Sequence, residues 1–108
     1  MKQRRSYALE KLSDAVEVLA TGPGDVRSRL YSAWLSFHTV TDRHLPPQLR
    51  KDLHWILHQI SHKPARHRLE GTVQGTLATI RNSTGVKIAK RILHLEQRLR
   101  EHHEQGAV

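Results

Sequence analysis

The chain has 108 residues, enough for one domain with a single hydrophobic core but not for a separate catalytic domain beside it. It contains no cysteine, which excludes disulfides, thiolate metal sites and a cysteine nucleophile. Its net charge of +8 at pH 7 favours polyanionic partners, because opposite charges steer association. We therefore expect one basic domain over residues 1–108, with frayed termini at about 1–5 and 102–108.

The sequence has no apolar run approaching the ~18 residues of a membrane span, so no membrane partner is expected. The N-terminal stretch has a basic start, but charges interrupt it before an apolar h-region develops, which argues against a secretory signal. We therefore expect a cytoplasmic protein.

Apolar residues first recur at helical spacing in residues 9–19. This pattern predicts a helix from about Ser6 to Thr21, with Ser6 as its N-cap and Gly22 just past its last turn. A Gly-Pro-Gly turn follows. Asp25 is then placed to cap a second helix that runs to about Val40.

The third helix is predicted after Pro46 and Pro47, because proline is well suited to the first turn of a helix. Its apolar face continues to Ser61, and Pro64 ends it. The fold class is therefore all-α, an antiparallel bundle of four to five helices.

Two further apolar stripes, in residues 69–80 and 86–99, predict a fourth and a fifth helix. We place a break near Asn82–Gly85, since Asn, Ser, Thr and Gly make a poor helix interior and good caps. The two stripes stay nearly in phase, however. A single kinked helix of roughly 35 residues is therefore the alternative, and it argues against a crossed helix-turn-helix.

Positive charge is concentrated in residues 61–91, which hold seven Lys or Arg and one acid. Ser83 or Thr84, as an N-cap, would leave backbone donors beside Lys87, where a phosphate can bind. The predicted anion-binding or nucleic-acid-binding residues are Lys63, Arg66, Arg68, Arg81, Ser83, Thr84, Lys87, Lys90 and Arg91. The alternative is a solvated helix face.

Three histidines, His54, His58 and His62, follow one another at i, i+4 and i+8 on the third helix. Such spacing suits a metal ion, but no cysteine or acidic residue shares this face, so we expect a solvated face and assign no metal or cofactor. Trp55 lies off the apolar stripe. We expect it either to anchor an interface, together with Leu99, or to be covered by the fifth helix.

No nucleophile elbow, zinc-protease helix or phosphate-binding loop motif occurs in the sequence, so we expect no catalytic residues and no enzyme activity. The aromatic residues all lie outside the basic segment, which leaves no obvious platform for stacked bases. We predict a protein that binds nucleic acid or another polyanion through the surface from Lys63 to Arg91. The alternative is a protein-interaction module or homodimer, in which the fifth helix packs on a partner and the charge serves solubility or an acidic protein.

Overall fold

The computed structural model describes residues 6–65 and 71–106. No strand occurs in these residues, which confirms the predicted all-α bundle. Two short 3-10 helices, Asp42–His44 and Pro47–Leu49, lie between the second and third α-helices. The α-helices are α1 (Tyr7–Thr21), α2 (Val26–Phe37), α3 (Arg50–Ser61), α4 (Thr72–Leu77) and α5 (Asn82–Gly106).

The first two helices begin at the residues that the sequence predicts as N-caps. The Ser6 hydroxyl accepts a hydrogen bond from the Leu9 backbone N–H at 3.0 Å. The Asp25 carboxylate accepts one from the Ser28 N–H at 3.1 Å. This bond, together with the Arg27 side chain, lowers the pKa of the Asp25 carboxyl below its usual value.

Helix α2 ends earlier than the sequence predicts, and the connector between it and α3 contains two short 3-10 helices. The second helix ends at Phe37 rather than Val40, where the chain turns with a hydrogen bond from the Val40 N–H to the Phe37 carbonyl. Arg50 then donates from Nε to the carbonyls of Asp42 and Leu45, at 2.9 and 3.1 Å. These bonds tie the connector to the start of α3.

The break between α4 and α5 lies at residues 78–81, four residues before the predicted position at Asn82–Gly85. The prediction of its place is therefore wrong, and the single kinked helix is not formed. Asn82 begins α5, and the Arg81 carbonyl accepts its first helical hydrogen bond, from the Gly85 N–H at 3.0 Å.

Contacts from elsewhere in the chain hold this turn. Arg27, on α2, donates from a guanidinium nitrogen to the Ile80 carbonyl at 3.3 Å. The Lys63 ammonium donates to the Thr79 hydroxyl at 3.0 Å, and the Lys63 backbone N–H donates to the Thr76 hydroxyl at 3.1 Å. The turn therefore depends on two segments that precede it by many residues.

One hydrophobic core joins the helices, and α5 contacts α1, α2 and α3. Four apolar residues of α5 are completely removed from solvent: Ile88, Ile92, Leu95 and Leu99. The helix continues through Gly106, into the stretch where the sequence predicts fraying, whereas residues 1–5 and 107–108 lie outside the described part of the chain. Among the described helices, none combines the length and the apolar character needed to cross a membrane.

Buried ionic contacts fix α5 on two sides. On one side, the Glu96 carboxylate is 1% exposed; it accepts a hydrogen bond from the Ser13 hydroxyl of α1 at 2.9 Å and pairs with Arg100. On the other side, Asp52 of α3 binds two arginines of α5. The long helix is therefore held between α1 and α3 by polar contacts as well as by its apolar stripe.

Candidate nucleic-acid interface

Two rows of basic, histidine and aromatic side chains lie side by side on α3 and α5. Each row steps by i, i+4, i+7 and i+11, which places its members on one face of its helix. The rows meet where the Arg91 guanidinium lies over the Trp55 ring, 4.4 Å from the ring centroid. We call this surface the α3–α5 basic face, and its members are Lys51, Trp55, His58, His62, Lys87, Arg91, His94 and Arg98.

The carboxylate nearest to this contact belongs to Asp52, which is only 7% exposed. One of its oxygens accepts a hydrogen bond from Arg91 at 3.1 Å, and the other accepts one from Arg98 at 2.6 Å. A single negative charge thus lies beneath two positive ones. The outer surface of the face keeps a net positive charge.

Arg91 is held by two different interactions. Its guanidinium is bound at one nitrogen by Asp52 and covers the indole ring of Trp55, and its side chain remains 38% exposed. Trp55 itself is half-buried and packs against the core. The fold therefore brings an aromatic ring to the basic segment, although all the aromatic residues lie outside that segment in the sequence.

The predicted anion-binding residues are only partly brought together. Arg81, Lys87 and Lys90 are exposed, with Lys90 one turn from Lys87 at the edge of the α3–α5 basic face. Lys63 instead bonds to the turn before α5. Arg91 is internally paired as well, and Arg66 and Arg68 lie outside the described residues.

The predicted N-cap at Ser83 or Thr84 is wrong. Both residues lie within the first turn of α5, which begins at Asn82. Ser83 is exposed and Thr84 is half-buried. An N-cap must stand just outside the helix, so neither residue is placed to act as one.

His54 and His58 lie in α3 and His62 directly follows it, and all three are exposed, as the sequence predicts. The Nε2 atom of His54 lies 2.6 Å from a carboxylate oxygen of Asp42, in the connector before α3. His58 and His62 stack on each other instead, with ring centroids 5.3 Å apart. In residues 6–65 and 71–106, no group of three or more His, Asp or Glu side chains is placed to hold a metal ion.

Leu99 is not an interface residue, because it is completely buried in the core. The prediction that Leu99 anchors an interface is therefore wrong, while the homodimer itself stays a prediction. Trp55 matches the alternative prediction, in which the fifth helix covers it, because Arg91 of α5 lies over its ring. The large apolar side chains that α5 exposes among the described residues are Val86 at 42% and Leu93 at 37%, one heptad apart and on a different face from Arg91.

Sequence reasoning missed three members of the α3–α5 basic face, Lys51, His94 and Arg98, and it also missed Asp52 as the carboxylate that binds the arginines. A signal for Arg98 is present, because it follows Arg91 by seven residues and so shares its helix face. Knowing that the Trp55 side of α3 packs beside this face requires the tertiary fold.

Comparison of the chain with protein-family models, with curated proteins and with solved structures finds no match.

Proposed function

We propose that this protein is a non-catalytic nucleic-acid-binding protein and that the α3–α5 basic face is its binding surface. One observation carries the proposal: the contact between Trp55 and Arg91 joins two helical rows into one surface. That surface holds four Lys or Arg residues, while its nearest carboxylate, Asp52, is buried beneath them.

Phosphate groups suit this arrangement. The cations of the α5 row, Lys87, Arg91 and Arg98, follow one another at about 6 and 10 Å along the helix axis, so they form a line rather than a single point. Lysine and arginine side chains bind phosphates without reading the base sequence. For about four such contacts, the logarithm of the binding constant falls linearly with the logarithm of the salt concentration, with a slope of about −3 to −4.

The test is a salt-titrated binding measurement with a labelled 20-base-pair duplex. We expect binding at ~50 mM salt that weakens steeply by ~200 mM. The double variant Lys87→Glu, Lys90→Glu should lose most of the binding at the lower salt, because both changes place a carboxylate on or beside the basic face.

The matched control is Lys11→Glu, Arg43→Glu, which changes exposed or half-buried cations on α1 and in the connector. Each reversal changes the charge by two, so both double variants fall from +8 to +4. An equal loss in both variants would show that net charge, not the face, governs binding. Absence of binding by the unmodified protein at ~50 mM salt would refute the proposal.

Self-association is the second candidate, and the exposure of Val86 and Leu93 favours it. A pair one heptad apart on a long helix can pack against the same pair of a second copy. Sedimentation velocity should then show a dimer that Leu93→Glu converts to a monomer. A monomer at every concentration of the unmodified protein would contradict this candidate.

A further inference from the structure

We propose that Arg91, whose guanidinium lies over the Trp55 ring, is a seat for an unpaired base, so that the preferred ligand is single-stranded nucleic acid. This inference rests on the proposed function, because it assumes that the α3–α5 basic face binds phosphates. It adds a substrate class and a base-contacting residue to that function.

The Arg91 guanidinium is held beside the Trp55 ring. The central carbon of the guanidinium lies 4.4 Å from the centroid of the Trp55 ring, and 38% of the Arg91 side chain is exposed to solvent. Guanidinium planes and aromatic rings are the surfaces on which proteins stack unpaired bases. The side of Arg91 that faces away from the indole offers such a surface.

Asp52 also holds the Arg91 guanidinium. Its carboxylate bonds to a guanidinium nitrogen of Arg91, so it contacts the edge of the plane and leaves the stacking surface uncovered. Arginine normally loses rotamer freedom when it binds a ligand, and a side chain that is already fixed loses less. Asp52 therefore acts as a positioning residue for the base seat.

Two neighbouring cations lie along α5 on either side of Arg91. Lys87 lies about 6 Å from Arg91 along the helix axis, and Arg98 lies about 10 Å from it on the other side. Phosphates on either side of a seated base would meet these two side chains. In a duplex the faces of the bases are stacked on each other, so only a single strand presents a base to the seat.

The test compares three ligands at one salt concentration: an oligothymidylate of twelve nucleotides, an abasic strand with the same phosphates, and a duplex of twelve base pairs. The protein should bind the oligothymidylate at least about five-fold more tightly than the abasic strand, as stacking of one base predicts. An oligouridylate of the same length serves as a fourth ligand and distinguishes an RNA preference from a DNA preference.

Two variants form a matched pair. Arg91→Lys keeps the charge but removes the planar group, and it should abolish most of the preference for bases over the abasic strand. Arg43→Lys makes the same chemical change at an exposed arginine of the connector, outside the α3–α5 basic face, so it should keep the preference.

The outcomes separate this inference from the proposed function. Equal binding of the oligothymidylate and the abasic strand would overturn the base seat and leave phosphate binding intact. No binding to any ligand would overturn both. Retention of the full base preference by Arg91→Lys would also overturn the seat.

A second measurement covers the case in which Arg91→Lys fails to fold. In Trp34→Phe the remaining tryptophan is Trp55, because the chain has two. Its fluorescence should change on addition of the oligothymidylate but not of the abasic strand. The same response to both ligands, or to neither, would overturn the seat.

Discussion

At the scale of single residues, Asp52 joins the structure to the candidate site. It is buried in the first turn of α3, just after the connector. Its two arginine partners lie 39 and 46 residues further along the chain. A buried carboxylate without partners is costly, so the two arginines stabilise it as much as it positions them. The same contact thus holds α3 against α5 and fixes the plane of Arg91.

Replacing this carboxylate should weaken the fold measurably. We expect Asp52→Ala to lower the free energy of unfolding by about 1–2 kcal/mol, because two charge-assisted hydrogen bonds are lost. The value is below that of a fully buried pair, since the arginine side chains are 38% and 51% exposed and stay partly hydrated without their partner. Urea denaturation followed by circular dichroism measures it.

The control for this change is Asp42→Ala, which removes the carboxylate that lies beside His54. Both side chains of that pair are about half exposed, at 49% for Asp42 and 59% for His54. Its loss should cost less than about 0.5 kcal/mol. Equal effects of the two alanine variants would contradict the structural role of Asp52.

At the scale of helices, Gly85 explains how α5 packs against α2. It lies buried in the first turn of α5, and a Cβ atom there would lie 2.8 Å from Cγ1 of Val26. Valine is stiff at χ1, so this methyl group has little freedom to move away. The glycine therefore permits a close approach of two helices and does not mark a ligand-binding loop.

The variant Gly85→Ala tests this close approach. Alanine in a helix is intrinsically better than glycine by about 1 kcal/mol, yet we expect a net destabilisation of about 1–2 kcal/mol because of the clash with Val26. Thermal unfolding measures the change. In a protein that already carries Val26→Ala, adding Gly85→Ala should lower the free energy of unfolding by less than it does in the unmodified protein. A stabilised Gly85→Ala would show that the helices have room to separate.

The same helices show what the sequence predicts and why it fails elsewhere. The caps at Ser6 and Asp25 are predicted correctly because each bonds to a backbone group three residues ahead. The break at residues 78–81 is not, because Arg27 and Lys63 bind it from distant parts of the chain. The glycine at position 85 is placed by tertiary contact with Val26, so local propensity misreads it as part of the break.

The candidate site divides in the same way. The exposure of Lys87, Lys90 and the α3 histidines follows from helical periodicity, which one segment carries by itself. The meeting of Trp55 with Arg91 requires knowing which faces of α3 and α5 pack together. The packing of the whole core determines which faces of the two helices meet, and no local sequence pattern encodes it.

At the scale of the whole molecule, four of the eighteen Lys and Arg side chains of the chain lie on the α3–α5 basic face. The rows on α3 and α5 lie within about 10 Å of each other, as packed helices do, and this is close to the Debye length at ~0.1 M salt. Like charges at this distance repel one another when salt is low. The folded state therefore carries a repulsion that salt or a bound polyanion relieves.

This repulsion predicts that a variant weaker in binding is more stable. Lys87→Glu removes one cation from the face and places a carboxylate four residues before Arg91, a favourable spacing worth about 0.5 kcal/mol. We expect the Tm at ~20 mM salt to rise by about 2–4 °C, and the gain to shrink at ~500 mM salt, where charges are screened within ~4 Å. Lys11→Glu is the control: it lowers the net charge from +8 to +6 as Lys87→Glu does, but it lies on α1, away from the face. An equal rise in Tm from Lys11→Glu would assign the effect to net charge alone. If Lys87→Glu does not raise the Tm, the face holds no appreciable repulsion for a ligand to relieve.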